Sequence, residues 1–187
     1  KFLLAVAASV AISTPGIAAE QQPNARGRLG QVELYLKSDV PRVLCLDDDF
    51  ATGGQPTEQA FAKVAASGFH SVLSLRTAVE GVDLTKERAL VEKAGLRYFN
   101  IPVVSAMPRT EQADEFIKLV KEKSNHPMLI NCASANRVGA FMMIYRVVEH
   151  GWSEEKALDE ALKIGLRGDE LKKFAQSYIA QNKSKRG

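Results

Sequence analysis

Several residue types that build specialised structures are scarce in this chain of 187 residues, which has two Cys, one Trp and three His. Two cysteines are too few for a scaffold held together by disulfides. His70, His126 and His150 are far apart and lack the spacing of zinc ligands. Gly53 and Gly54 are too few for a nucleotide-binding loop. We therefore expect neither a metal site nor an organic cofactor.

No charge of one sign dominates the chain. Its 25 Lys and Arg residues against 22 Asp and Glu residues give a net charge of +3. Part of this excess lies in the basic tail 183–187, which is typical of a solvated chain end. The excess is too small and too scattered for a nucleic-acid footprint, so we expect no nucleic-acid partner.

Long apolar runs are also missing, except at the N-terminus. Lys1 precedes the apolar run 2–12, and the small residues Ala18 and Ala19 follow it. The run is shorter than the roughly 20 residues of a membrane span, and the layout is that of a secretory signal. We expect a signal peptide over 1–19 and a single domain over 20–187, with its core at about 43–182. The mature protein would be periplasmic or secreted, without stable membrane association; an uncleaved membrane anchor is the alternative.

Strand and helix patterns alternate along the rest of the chain. Predicted strands cover 43–46, 69–76, 96–101 and 127–131, and a turn-rich loop covers 51–56. Predicted helices cover 57–67, 84–94 with Thr85 as N-cap, a segment from Thr110, and then 137–150, 154–164 and 169–181. This order predicts an α/β fold with a mostly parallel sheet of four to five strands flanked by helices, and a helical C-terminal half.

The two cysteines lie in different surroundings. In an exported chain they could simply form one disulfide, and a reversible bridge would be a redox switch. Cys45 lies inside an apolar run, where a thiol behaves as a small hydrophobic residue. Cys132 lies where the strand 127–131 ends and a loop begins. The sequence leaves the pairing open.

Residues 131–140 occupy the place where open α/β sheets bind ligands, between a buried strand and the start of a helix. Backbone amides, a helix N-terminus and the Arg137 guanidinium would lower the pKa of the Cys132 thiol and favour a thiolate nucleophile. The same groups suit an anion, and the small residues Ala133, Ser134 and Ala135, followed by Asn136, allow close approach of the backbone. The simpler interpretation is an inert buried thiol. However, a cation at a helix N-terminus is unfavourable unless an anion binds there.

This segment, together with 54–57, 68–76, 98–103 and 145–158, resembles the cysteine-dependent dual-specificity and tyrosine phosphatase superfamily. Within it, the chain is most similar to the phosphatase-like domain of bacterial beta-lactamase-hydrolase-like proteins. The resemblance covers roughly 43–165. It implies that Cys132 is a nucleophile that forms a cysteinyl-phosphate. It also implies that Arg137 and the amides of 133–137 hold the phosphoryl oxygens of a phosphorylated protein or a small phosphate ester.

The sequence departs from that family in three ways. Only four residues separate Cys132 from Arg137, where the family has five; Asn131 stands where many members have His; and the loop 103–109 has no acid. Asp114 and Asp83 are the candidate general acids. The short loop resembles that of rhodanese-type sulfurtransferases, which implies a persulfide on Cys132 and a sulfur donor as partner. A non-catalytic anion-binding module is the third alternative.

Overall fold

The computed structural model describes residues 25–183. The predicted signal peptide and the end of the basic tail lie outside the described residues. None of the helices in the described range is both long and apolar enough to cross a membrane.

A five-stranded sheet forms the centre of an α/β fold, in the order β1-β2-β5-β3-β4. The strands are β1 (Leu44–Cys45), β2 (Phe50–Gly53), β3 (Ser71–Ser74), β4 (Arg97–Asn100) and β5 (Met128–Asn131). Strands β2, β5, β3 and β4 run parallel, whereas the edge strand β1 pairs antiparallel with β2. The predicted fold class is confirmed, and β1 makes the sheet mixed rather than purely parallel.

Seven helices cover the two faces of the sheet in the described range. They are α1 (Ala25–Leu36), α2 (Ala60–Ala66), α3 (Leu84–Lys93), α4 (Thr110–Lys121), α5 (Asn136–Val148), α6 (Glu154–Ile164) and α7 (Asp169–Lys183). One hydrophobic cluster joins α4 to α7 with one face, and a second joins α1 to α3 with the other. Every residue of α5 after Asn136 is buried, which makes it the central helix of the C-terminal half.

Three local expectations were wrong. The loop expected at 51–56 overlaps β2, whose four residues are all buried. Gly53 hides the strand in the sequence because glycine is uncommon in strands, and it is needed here since a β-carbon would lie only 2.4 Å from Val40 Cγ1. Helix α3 is capped by Asp83, which accepts from the Lys86 amide, and not by Thr85. The core also begins before residue 43, since Leu36 and Val40 are fully buried.

Candidate active site

Cys132 directly follows the central strand β5. Because β2 and β3 flank this strand on both sides, its C-terminal end lies in the middle of the sheet edge. The Cys132 amide donates to the Gly53 carbonyl at 3.3 Å, and the residue is 1% exposed. The thiol thus follows a strand that is paired on both sides, at the C-terminal edge of the sheet where open α/β folds bind ligands.

The residues after Cys132 lie against the end of β2. Gly54 and Ser134 form a bridge, and the Gln55 amide donates to the Ala133 carbonyl at 3.3 Å. A β-carbon on Gly54 would lie 3.1 Å from that carbonyl oxygen, so glycine favours this close approach of the two backbones. Ala135 has a left-handed backbone with φ of 64°, which turns the chain into α5.

Asn136 fixes the other side of the loop. Its Oδ1 accepts hydrogen bonds from the amides of Arg167 at 2.9 Å and Gly168 at 3.2 Å, in the link between α6 and α7. Helix α5 begins at this residue, and amides in the first turn of a helix have no partner within the helix. Among the described residues, the amides of Ser134, Asn136 and Arg137 donate no hydrogen bond to the protein. They are available to an anion bound beside Cys132.

Arg137 lies in the first turn of α5 and is held by two other loops. Its Nη1 donates to the carbonyl oxygens of Leu75 at 2.9 Å and Val103 at 2.8 Å. Its guanidinium also forms a bidentate ion pair with Glu80, in which Nη1–Oε1 and Nη2–Oε2 are both 2.6 Å. The residue is only 4% exposed. Arg137 is therefore rigidly placed before any substrate arrives.

These contacts leave one edge of the Arg137 guanidinium for a ligand. Arginine has five N–H donors, of which Nη1 carries two, Nη2 two and Nε one. Carbonyl and carboxylate oxygens of the protein take both donors of Nη1 and one of Nη2, and the guanidinium also interacts with the Cys132 side chain. Burial alone would lower the pKa of Arg137, but the Glu80 carboxylate and the nearby Cys132 sulfur outweigh burial and raise it. The cation therefore lies beside the thiol, with Nε and the second Nη2 hydrogen remaining for an anion.

Glu80 is the residue that orients Arg137. Burial tends to raise the pKa of Glu80, but its hydrogen bonds from Arg137 and Thr77 prevail and lower it to about 2. Arg76 adds a second cation, with its Nε 2.9 Å from Glu80 Oε2. Glu80 is consequently ionised at neutral pH and shared by two arginines.

A chain of hydrogen bonds leads from Arg76 towards the second face of the sheet. Arg76 donates to Gln55 at 2.9 Å, Gln55 donates to Glu87 at 2.5 Å, and the Tyr98 hydroxyl donates to the same carboxylate at 2.8 Å. Gln55 and Glu87 line a cavity of about 490 Å³ between α2 and α3. The side chains that support Arg137 thus also form the wall of this cavity.

The two candidate general acids, Asp114 and Asp83, lie in different parts of the fold. Asp114 lies on α4 and accepts a hydrogen bond from the Tyr178 hydroxyl of α7. Asp83 caps α3 and lines the cavity beside Gln55 and Glu87. Both carboxylates therefore have structural partners, and Asp83 is the one that lies next to the chain of residues supporting Arg137.

Asn131 does not point in the same direction as Cys132. Alternation along β5 puts Cys132 with Ile130 in the cluster of α4 to α7, so that Asn131 shares the opposite face with Leu129. Its side-chain amide is fully buried and has no protein hydrogen-bond partner in the described range.

Both cysteines are free. Cys45 pairs with Ala51, which pairs with Leu129, three residues before Cys132. That register separates the two cysteines by roughly 10 Å along the strands and by two strand spacings of about 4.8 Å. A disulfide needs Cα atoms within about 7 Å. The two thiols also pack against opposite faces of the sheet, so a Cys45–Cys132 bridge requires rearrangement of the fold.

No group of three or more His, Cys, Asp or Glu residues in the described range is placed to hold a metal ion. The groups at this site that suit a ligand are donors of hydrogen bonds to an anion, not ligands for a cation.

The family described as DSP-PTPase phosphatase fused to NAD+ kinase (PTP-NADK) matches residues 32–184. The chain belongs to this family. The resemblance to the dual-specificity phosphatase superfamily, drawn from the sequence, is thereby confirmed.

Known relatives agree with this assignment. Dual specificity protein phosphatase TpbA of Pseudomonas aeruginosa (strain UCBPP-PA14) is 26% identical over 95 residues. The match covers 50% of this chain and 44% of TpbA, so the chain matches less than half the length of this relative.

Solved structures share the fold. A DUF442 phosphatase structure from Shewanella putrefaciens CN-32 has a TM-score of 0.68 at 20% identity, covering 81% of this chain and 97% of that one. The structure of P. aeruginosa TpbA in complex with phosphotyrosine has a TM-score of 0.59 at 20% identity, covering 74% and 82%.

The sequence predicts Cys132, Arg137 and the loop between them as site residues, and the structure brings these residues together, but the sequence does not predict Glu80 as the partner of Arg137. The pattern of Arg76 and Glu80 predicts only their own ion pair, which the structure contains. The position of Glu80 after β3 would indicate this partnership if the strand order were known, because β3 lies next to β5, the strand that leads to Cys132 and Arg137. That adjacency appears only once the strand order is known.

Proposed function

We propose that this protein is a cysteine-dependent phosphatase that hydrolyses phosphate monoesters through a cysteinyl-phosphate on Cys132. The observation that carries the proposal is the preorganised cation beside the thiol: Arg137, fixed by Glu80 and two carbonyl groups, with one guanidinium edge left over. Preorganised donors are the main means by which enzymes stabilise charge in a transition state. Membership of the PTP-NADK family supports the same chemistry.

The reaction proceeds in two steps. The Cys132 thiolate attacks phosphorus, the S–P bond forms, and the ester P–O bond breaks with its electron pair on the leaving oxygen. Water then attacks the phosphorus, the S–P bond breaks, and inorganic phosphate and the thiolate are released. Arg137 and the amides at the start of α5 bind the phosphoryl oxygens in both steps.

The leaving oxygen receives its proton most simply from solvent, because Asp114 and Asp83 are each engaged elsewhere. Lack of a positioned acid costs roughly 10²–10⁴-fold for poor leaving groups. We expect kcat/KM to fall steeply as the pKa of the leaving alcohol rises. A shallow dependence that steepens in Asp83→Asn or Asp114→Asn would assign the acid role to that residue.

The decisive test compares wild type, Cys132→Ser and Cys45→Ser on an aryl phosphate. We expect Cys132→Ser to lose at least about 1,000-fold in kcat, as for removal of other nucleophiles, and Cys45→Ser to keep its activity. Acid quenching of wild type during turnover should show a phosphorylated Cys132 peptide by mass spectrometry. Equal activity in wild type and Cys132→Ser would overturn the proposal.

The short loop favours a second candidate, a sulfurtransferase that carries a persulfide on Cys132. Four residues between Cys132 and Arg137 make a smaller ring than the five of the phosphatase pattern, and a smaller ring suits a single sulfur atom. Thiocyanate formation from thiosulfate and cyanide, lost in Cys132→Ser, would support it. Retained phosphate binding without either reaction would indicate an anion-binding module.

Export and substrate class are part of the same proposal. The apolar run 2–12 and the small residues before Glu20 support a periplasmic or secreted protein. Cell fractionation of the full chain, with the N-terminus of the product sequenced, tests cleavage after Ala19. The substrate is a phosphorylated protein or a small phosphate ester, for which the phosphotyrosine complex of TpbA is a precedent.

A further inference from the structure

Two exposed arginines flank the outer side of the loop 133–136, and the catalytic scheme uses neither. Arg167 donates from Nη2 to the Ser134 carbonyl at 3.2 Å, and Arg42 donates from Nη2 to the Ile164 carbonyl at 3.4 Å. Gly165 brings them to the same place: a β-carbon there would lie 3.1 Å from both Arg42 Nε and the Ser134 carbonyl oxygen. Arg42 Nε and the Ser134 carbonyl that Arg167 contacts therefore both border Gly165, which places the two guanidinium groups on the same side of the loop that follows Cys132.

Neither arginine forms an ion pair with a carboxylate of residues 25–183. Each donates one Nη2 hydrogen bond to a carbonyl, so most of its five N–H donors have no acceptor among residues 25–183. Two cations held near each other without a counter-charge repel, and an anion between them removes that cost.

The backbone of Arg42 is a second, independent sign. Its φ is 57°, in the left-handed region that side chains other than Asn, Asp and Gly rarely adopt. Arg42 and Ala135 are the two such non-glycine residues in the described range, and Ala135 is in the candidate anion-binding loop itself. Strain of this kind persists where the surrounding structure imposes it, and it concentrates at binding sites.

We propose that Arg42 and Arg167 form a second anion subsite that binds another phosphate group of the same substrate. This inference rests on the proposed function, since it defines the substrate as a compound with at least two phosphates. One phosphate lies against Cys132 and Arg137, and the second is bound by the exposed pair. Guanidinium groups suit this role because their planar donors match two phosphate oxygens at once.

The test uses two esters with the same leaving phenol: 4-(2-hydroxyethyl)phenyl phosphate and the same compound with its aliphatic hydroxyl also phosphorylated. We expect wild type to show a kcat/KM for the aryl phosphate at least about tenfold higher with the bisphosphate, which corresponds to about 1.4 kcal/mol. Arg42→Gln and Arg167→Gln should each reduce this ratio towards one. Arg97→Gln is the matched control, because Arg97 is exposed but begins β4 at the opposite end of the sheet.

The ratio of kcat/KM between the bisphosphate and the monophosphate separates an effect on substrate binding from an effect on folding. Both arginines also hold carbonyl groups near the ends of α6 and the loop, so a purely structural role would lower stability and affect both esters equally. Equal ratios in wild type and in the two variants would overturn the second subsite and leave the phosphatase proposal intact. Adding inorganic phosphate to the monophosphate assay distinguishes the source of the anion. A rise in kcat/KM there would mean that a free ion fills the subsite, against the proposal.

Direct binding gives an answer even without turnover. Calorimetry on Cys132→Ser, alone and combined with Arg42→Gln, measures the dissociation constants of both esters. Preference for the bisphosphate that disappears in the double variant supports the subsite, even if wild type hydrolyses neither ester and the proposed function fails. Equal affinities in an inactive protein would overturn both proposals.

Discussion

Arg137 and Glu80 form a bidentate ion pair across two loops, with both N–O distances at 2.6 Å. Glu80 takes the end of the guanidinium that points away from the remaining Nε donor. This arrangement leaves the charge of Arg137 directed at the site while its orientation is fixed. The acid is therefore a positioning residue for the cation.

Replacing Glu80 by Gln should weaken both the fold and the activity. We expect the free energy of unfolding to fall by about 2–3 kcal/mol, somewhat less than for a fully buried pair because part of Glu80 is exposed. Misplacement of Arg137 should lower kcat/KM on an aryl phosphate by about 10–100-fold. Urea denaturation and steady-state kinetics measure the two effects.

Glu92→Gln is the control for this substitution. Glu92 pairs with Arg88 in an i,i+4 arrangement in which both side chains are half exposed, so its removal should change stability by less than about 0.5 kcal/mol. Similar losses in Glu80→Gln and Glu92→Gln would contradict the positioning role.

Stability should depend on pH through the same carboxylate. The pKa of Glu80 is lowered from 4.5 to about 2, since hydrogen bonds from Arg137 and Thr77 outweigh the effect of burial. A depressed pKa in the folded state means that protons bind more readily to the unfolded chain. The contribution of Glu80 is therefore complete above about pH 4.5 and is lost as the pH falls towards 2.

Unfolding free energies of wild type and Glu80→Gln between pH 7 and pH 2.5 test this expectation. The curve of the variant should be shallower below pH 4.5, but not flat, because Asp39 also has a pKa of about 2 through its hydrogen bond from Lys63. Parallel curves would show that Glu80 has an ordinary pKa.

Gly139 should be intolerant of any side chain. A β-carbon there would lie 2.7 Å from the Ala161 carbonyl oxygen and 2.9 Å from the Leu166 amide, both backbone atoms at the contact of α5 with α6. Gly139→Ala should cost about 1–3 kcal/mol of stability through overpacking. Gly30→Ala is the matched control, because Gly30 lies in α1 with nothing within 4 Å. It should be stabilised by about 0.5–1 kcal/mol.

Thermal or urea unfolding should show that Gly139→Ala lowers the free energy of unfolding and that Gly30→Ala raises it, if α5 and α6 are closely packed. Two stabilised variants would show that the helices have room for a methyl group.

The two cysteines should differ in reactivity and should not pair. Burial raises the pKa of Cys45 to about 12, with help from Glu33 and Asp47, so its thiol stays protonated at neutral pH. Native alkylation with iodoacetamide should leave Cys45 unlabelled until the protein is denatured. Peroxide should oxidise Cys132 to a sulfenic acid without an intramolecular disulfide. Mass spectrometry of peptides measures both outcomes, and a linked Cys45–Cys132 peptide would contradict the register of the sheet.

Sequence patterns located the elements with strong periodicity. The strands expected at 69–76, 96–101 and 127–131 are β3, β4 and β5, and each is shorter than expected, β5 by a single residue. The helix predicted at 154–164 has the same bounds in the structure, because Ser153 caps it and Gly165 ends it. The place of Cys132 and Arg137 between a strand and a helix made them candidates, and the structure has them between β5 and the first turn of α5.

The features that the sequence patterns did not predict depend on tertiary contacts. Strand β2 has no alternation to reveal it, since all four of its residues are buried between β1 and β5. Helix α1 was missed because its apolar and polar residues show little helical segregation, although Leu36 ends it in the core. The pairing of Glu80 with Arg137 could not be predicted either, because nothing local in the sequence links Glu80 to a residue 57 positions later.

Two of the groups that seat Arg137 are carbonyl oxygens, at Leu75 and Val103. Every amino acid supplies a carbonyl, so these contacts survive any replacement of the two side chains that keeps the backbone path. Both side chains are themselves fully buried in the core, so related chains can replace them only with apolar residues that fit there, and the carbonyl contacts to the cation survive such changes. The position of the Arg137 side chain therefore depends on the path of the main chain, which a sequence alignment does not show.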